Sequence, residues 1–339
     1  MNAMLNRVYA DYLMPSRLGE YEALVREVAA AGYAQLSVRD FIREVRRNEA
    51  VASPAASPSG RPLPEPAFAG AGPVTVAGIA IGSPAPRPAA QAAVDTLERP
   101  MAAQARRGAI ATAAHAQSCA AAAAAAGAAG PSFVHRHDID SDLRTAKKMF
   151  AIESRHGVRA SYYFRLCTLD YGFMREIEAA GSEAGYHYEE VADFAKRHRL
   201  RSAEAVRQRF PEIRAQFERN LENIVGRLGL PITTVASHGD FANRRLKVIN
   251  HELLRDAALR RRCGIECESY DADLLRRFDL YISDRKHPVY YYPVPPFDAL
   301  GKYRHICLLT HPVQWETNWV ESTRCNMRRL VEEVAWRAP

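Results

Sequence analysis

The 339-residue chain contains no run of 18 apolar residues, so no segment reads as a membrane-spanning helix. Its first twenty residues lack a basic stretch followed by an apolar core, and no secretory leader is expected there. Cysteine is sparse: the six thiols, Cys119, Cys167, Cys263, Cys267, Cys307 and Cys325, never fall in the paired C-x-x-C spacing of a zinc ribbon. Cys167 and Cys307 lie in or beside apolar runs and read as buried thiols. Together these absences predict a reduced, soluble, cytoplasmic protein.

Residues 50–131 have almost no large side chains. They hold 11 of the 20 prolines, a single aromatic, Phe68, and an unbroken alanine run from Ala120 to Ala126. Such a stretch has little with which to offset the entropy of ordering, and it reads as a disordered or loosely helical insertion whose deletion leaves folding intact. Without it, 257 residues remain, the size of one α/β barrel.

The net charge is +7. Its densest parts, Lys196 to Arg201 and Arg255 to Arg262, carry little interleaved aromatic character and no nucleic-acid motif. They read as a solvated basic face and exclude nucleic acid as the expected partner, although such a face would attract an anionic sugar nucleotide, uronic acid polymer or membrane surface.

Outside the insertion, helical and strand patterns alternate. Leu18 to Ala31 is spaced as an amphipathic helix stopped by Gly32, Tyr33 to Val38 reads as a strand, and a short helix follows from Arg39 to Arg47. Phe133 to Asp140, Val158 to Phe164, Ile232 to Ala236, Leu280 to Ser283 and Ile306 to Thr310 are further strand candidates. Between them lie helices at Leu143 to His156, Phe173 to Ala180 and Ile213 to Leu228, then a basic one at Leu246 to Arg262. A terminal helix runs from Asn318 to Trp336. Such alternation predicts an α/β fold around a mostly parallel sheet, closed or distorted into a barrel.

Apolar strand candidates end in acids and imidazoles: His137-Asp138-Ile139-Asp140, Gly185-Tyr186-His187-Tyr188-Glu189, Ser237-His238-Gly239-Asp240, Ser283-Asp284 and Thr310-His311-Pro312. In a parallel barrel all these ends open on one rim. Asp138 and Asp140 are two residues apart, so on an extended chain they share a face, and a divalent cation would relieve their repulsion. Asp140, Ser141 and Asp142 immediately precede a helix, so capping would account for one of them, whereas Asp138 lies too far upstream for that role. Three histidines at equivalent strand ends beside a D-x-D pair indicate a metal or acid–base site. An HD-type phosphohydrolase, suggested by His137-Asp138, would need that pair on a helix, whereas here it follows a β-type run.

With these segments in order, the chain resembles the polysaccharide deacetylases of the NodB-homology group, carbohydrate esterase family 4, and within them a WbmS-like branch tied to bacterial surface polysaccharides. The resemblance covers Phe133 to Trp315, more weakly Arg17 to Ile42. It rests on Arg136 to Asp140, Ala160 to Arg165, Gly185 to Glu189, Ser237-His238-Gly239 and Leu309 to Pro312. It implies a distorted (β/α)7 barrel that uses a divalent metal, expected to be Zn2+, to deacetylate N-acetylated sugars in O-antigen or capsule metabolism. By the same resemblance Asp138 corresponds to the catalytic base, Asp140 to a metal ligand, His187 to the first histidine of an H-x-x-x-H metal motif, and His311 to the general acid. The second motif histidine is replaced by Val191. His238 is expected to take its place, with Glu189 or Glu190 as alternatives. An R-x-P motif expected near His238 is absent; Arg136, close in sequence to Asp138, together with Glu189 and Asp284, is assigned to substrate binding or to support of the site. The contrasting expectation is a catalytically degenerate barrel that binds glycan or organises an assembly, favoured by Val191.

Overall fold

The computed structural model describes residues 3–52 and 130–337. The order of the low-complexity insertion, and the effect of deleting it, lie outside the described residues. Nine strands form one curled sheet: β1 Ala34–Leu36, β2 Ser132–Ile139, β3 Ser161–Phe164, β4 Glu183–Tyr188, β5 Thr234–Ser237, β6 Cys267–Glu268, β7 Leu280–Asp284, β8 Tyr291–Tyr292 and β9 His305–Thr310. Their order is β6-β5-β4-β3-β2-β9-β7-β8, with β1 on β2. All pairings are parallel except β7 with β8.

β2 is the axis of this sheet. β9 runs along one edge from Ser132 to His137, while the other edge is shared by β1, against Ser132 to Val134, and β3, against Arg136 to Ile139. Every residue of β2 is buried, as expected for a parallel strand covered on both faces. Phe133 faces the helix Leu18–Ala30 through the cluster containing Tyr21, Leu24 and Met149. Val134 faces the other way, into an apolar floor with Leu36, Cys267 and Cys307. Arg136 and Asp138 share its face by strand periodicity. Arg136 reaches both Tyr281 on β7 and Tyr270 just after β6. These strands stand toward opposite ends of the sheet order, so the sheet is curled around Arg136. Among the described residues no pairing joins β6 to β7 or β8, and hydrogen bonds do not close the curl into a ring.

Most helices pack on the convex face, while the helix Val38–Ala52 lies under the concave one, with Val38 and Phe41 in the apolar floor beside Val134. Phe217 of the helix Phe210–Leu228 sits against Tyr186 and Tyr188 of β4, burial worth about 1.5–3 kcal/mol for a large apolar side chain. On the concave face β4 has Gly185, where an added Cβ would stand 2.5 Å from two ring carbons of Tyr163 and 3.0 Å from the Thr234 carbonyl oxygen. A side chain there would push β3 off β4.

Local readings differ at three places. The expected helix from Leu246 to Arg262 is three short pieces, Phe241–Leu246, the 3-10 turn Asn250–Arg255 and Ala257–Cys263. Lys247 takes a left-handed φ of 54°, and the Asp256 side chain caps the third piece. Polar side chains here take up backbone groups that a continuous helix would have used. Cys167, expected to be buried, is exposed, whereas Cys307 is buried: Cys167 follows the end of β3 in the turn before Asp170 caps Tyr171–Ala179. The helix after β1 begins at Val38 and extends to Ala52. No helix among the described residues is long and apolar enough to cross a membrane.

Candidate metal centre

Alternation along β2 separates two polar clusters. His135 and His137 point to the helix side, where Glu153 is fully buried and accepts hydrogen bonds from Tyr21 and Tyr162. His137 Nε2 lies 2.7 Å from Glu153 Oε1, and its Nδ1 lies 2.5 Å from Thr310 Oγ1 on β9. His137 therefore joins sheet to helix, on a strand and away from the mouth, and it does not pair with Asp138 in the manner of an HD site.

Arg136, Asp138 and Asp140 point the other way. Asp138 is buried, and Arg136 donates to both its oxygens, Nε to Oδ1 at 2.9 Å and Nη2 to Oδ2 at 2.8 Å. The guanidinium also donates to Tyr281 Oη at 3.2 Å and lies 4.4 Å from the centre of the Tyr270 ring. Burial alone would raise the Asp138 carboxyl, but the Arg136 charge, with His187 beyond it, outweighs that and holds it below the usual carboxylate range. The bidentate fork fixes both the charge and the orientation of the carboxylate. Arg136 thus orients Asp138 from within β2 itself.

Asp140 stands one residue past β2, while Asp142, two further on, caps the helix Leu143–Arg155 by accepting from Thr145. Asp140 Oδ1 lies 3.3 Å from His187 Nε2 and 3.4 Å from His238 Nε2, and makes no hydrogen bond among the described residues. Asp138 Oδ2 is 3.6 Å from the same His187 nitrogen. Burial raises the Asp140 carboxyl, yet the charge of His238 and the contact with His187 dominate and push it far below its ordinary value. Asp140, His187 and His238 each offer a ligand atom within 4.8 Å of the others.

The orientation of His187 is set by its far nitrogen. Nδ1 lies 3.0 Å from the Ala236 carbonyl oxygen, which can only accept, so Nδ1 carries a proton and Nε2 is the nitrogen turned toward Asp140. Nε2 and a carboxylate oxygen thus stand 3.3 Å apart, and with the ring neutral both are electron-pair donors. Such acceptors suit a cation, and two imidazoles with one carboxylate, three protein ligands in all, match the donor set of catalytic zinc sites. The residues present therefore fit a divalent metal.

The alternative ligands separate clearly. Glu190 accepts from Tyr186 at 2.5 Å and Asn220 at 2.9 Å on the convex side of β4, away from Asp140. Glu189 lies behind His238, 3.3 Å from Nδ1, and is gripped by Arg165 at 3.0 and 2.5 Å. Val191, in the second-histidine position, is wholly buried in the apolar core. The geometry therefore joins His238, rather than either glutamate, to Asp140 and His187.

At the opposite side of the mouth, Asp284 accepts from His311 Nδ1 at 2.7 Å and from the His311 backbone N–H at 2.7 Å. It also accepts from Trp315 Nε1 at 3.0 Å. Burial lowers the His311 imidazole, but Asp284, by charge and hydrogen bond, with Asp140 and Asp138 adding, pushes it up to about 10. With Nδ1 held by Asp284, the proton at Nε2 is the one free to be given away.

Three contributors lie outside the strand-end pattern of acids and imidazoles. Arg165 donates to the Asp140 carbonyl oxygen at 3.2 Å as well as to Glu189. Asn250 donates to the His238 carbonyl oxygen at 2.5 Å and accepts from the Val191 and Ala192 backbone. Trp315 is fully buried against Asp284. Arg165 directly follows a strand, as the candidate ligands Asp140 and His238 do, so its position was a signal; Asn250 gave none. In comparisons with known proteins, no family model matches the chain and no curated protein matches it.

Proposed function

We propose that the protein is a metal-dependent hydrolase that removes the acetyl group from an N-acetylated sugar, within surface-polysaccharide metabolism. The observation that carries this reading is the meeting of Asp140, His187 and His238 beside an aspartate already held as an anion by Arg136. The curled parallel sheet is compatible with the distorted (β/α)7 barrel of the polysaccharide deacetylases that the sequence resembles. Asp140, His187 and His238 would hold the ion, which would polarise the acetyl carbonyl and bring the pKa of a water from about 15.7 toward about 7.

The remaining chemistry belongs to the side chains. Asp138, ionised and oriented by Arg136, accepts a proton from the attacking water. His311, charged and held by Asp284, donates a proton to the sugar nitrogen as the C–N bond breaks, since an amide cannot expel an unprotonated amine. Acetate and a protonatable amine are the products.

Elemental analysis of the purified protein, with amine release from a panel of acetamido sugars and their nucleotide-linked forms, tests the proposal. One zinc per chain and released amine are expected, with Asp138→Asn keeping the metal and losing turnover. Turnover persisting in metal-loaded Asp138→Asn would refute the base assignment. No bound metal even after zinc is added would make a glycan-binding or assembly role the better account.

A further inference from the structure

His238 stands between two carboxylate groups. Its Nε2 stands 3.4 Å from Asp140 Oδ1, and its buried Nδ1, which makes no hydrogen bond among the described residues, stands 3.3 Å from Glu189 Oε2. Asp240 is the other acid close to this ring, but it is committed elsewhere: one oxygen accepts from Ala242 N at 2.7 Å to cap the helix Phe241–Leu246, and the other pairs with Lys196 at 3.2 Å. Glu189 is differently placed. Both its oxygens are held by Arg165, whose remaining nitrogen donates to the Asp140 carbonyl oxygen. One guanidinium thus spans the segment that carries Asp140 and the carboxylate that backs His238.

We infer that Glu189 is a positioning residue that takes the Nδ1 proton of His238 as a hydrogen bond and so presents Nε2, unprotonated, to the ion held with Asp140 and His187. Arg165 balances the charge of Glu189 and ties it to Asp140. The inference rests on the proposed metal site and assigns its supporting shell. An imidazole ligand generally donates its far N–H to a carboxylate or carbonyl, which fixes the ring and makes the near nitrogen more basic. His187 obtains this support from the Ala236 carbonyl. His238 lies beyond β5 at the start of a turn, and Glu189 with Arg165 provides the equivalent. In an H-x-x-x-H arrangement both ligands would come from one short segment; here the second arrives from β5, and this ion-paired carboxylate is what registers it against the first.

Zinc affinity, measured by competition with a chromophoric chelator, and the ring 15N shifts of His238 together test the assignment. Glu189→Ala is expected to weaken zinc binding by about 10–100-fold while one zinc per chain is still reached at saturation. Glu189→Gln, whose amide oxygen can still accept from Nδ1–H, should recover part of the loss and serves if the alanine variant does not fold. In the metal-free protein the 15N shifts should report the Nδ1–H form of His238, and Glu189→Ala should abolish that preference. Unchanged affinity and unchanged tautomer in a folded Glu189→Ala would overturn the inference. So would complete loss of zinc, which would make Glu189 a ligand itself. If wild type takes up no zinc, the metal-site reading fails, while the tautomer measurement still decides whether Glu189 directs His238.

Discussion

At the scale of single residues, the site is governed by which atom of each titratable group is already spoken for. His311 is the clearest case. Asp284 occupies its Nδ1 and raises the ring to about 10 against the pull of burial. A raised histidine keeps its proton until pH passes the raised value, so the proposed acid would stay charged through neutral pH and lose its proton on the alkaline side. Asp284→Asn removes the charge that lifts the ring; the alkaline limb of the pH–rate profile should move to lower pH, and kcat should fall toward the 10²–10⁴-fold loss expected for removing a general acid. An unmoved alkaline limb would show that another group sets it.

Glu190 offers a stability counterpart. Burial lifts its carboxyl from an ordinary 4.5 to about 7, against the hydrogen bonds from Tyr186 and Asn220. Between those values the folded protein keeps a proton that the unfolded chain releases, so this group's contribution to stability declines as pH rises from about 4.5 and levels off above about 7. Glu190→Gln removes the titration. The melting temperature of the variant relative to wild type should therefore rise between pH 5 and pH 8; a constant difference across that range would contradict the assignment.

At the scale of elements, the end of β4 shows where a histidine at position 191 would stand. β4 ends at Tyr188 and a helix starts at Glu190, so position 191 belongs to the first helical turn. Its side chain faces the core with Ala192 and Phe194. Asn250 holds the backbone N–H of Val191 and Ala192 while also holding His238, so the segment is fastened in this orientation. Val191→His should not restore a ligand. It should place an unpartnered imidazole in an apolar core, costing about 1–3 kcal/mol, with lower thermal stability and no tighter zinc binding. A gain in zinc affinity would mean that the helix can turn to present the residue.

On the scale of the whole molecule, Arg136 is where the sheet's far ends meet. Its partners come from β2, from β7 and from the segment after β6, and it is fully enclosed. Removing one member of such a buried pair leaves an uncompensated charge. Arg136→Ala should destabilise the protein by about 3–5 kcal/mol, which at roughly 2–4 °C per kcal/mol lowers the melting temperature by about 6–20 °C. Arg136→Ala combined with Asp138→Ala should recover much of that loss, because the stranded carboxylate is gone. A single variant as stable as wild type would show that the charge pair contributes nothing to the closure.

The sequence by itself determined the strand ends and what they carry. Period-two alternation puts Asp138 and Asp140 on one face, and apolar runs ending in His187, His238 and His311 mark strand mouths whatever the details of packing, because these signals are local to a few residues. Tertiary structure decided the rest. Whether His238, Glu189 or Glu190 joins Asp140 depends on the pairing of β4 with β5 and on the direction in which the chain leaves β4, and both are set by contacts between segments about fifty residues apart. That Arg136 fastens Asp138 while His137, one residue on, serves Glu153 on the opposite face follows from the curl of the sheet, which encloses one side and covers the other with helices. Those long-range contacts leave no local pattern in the chain.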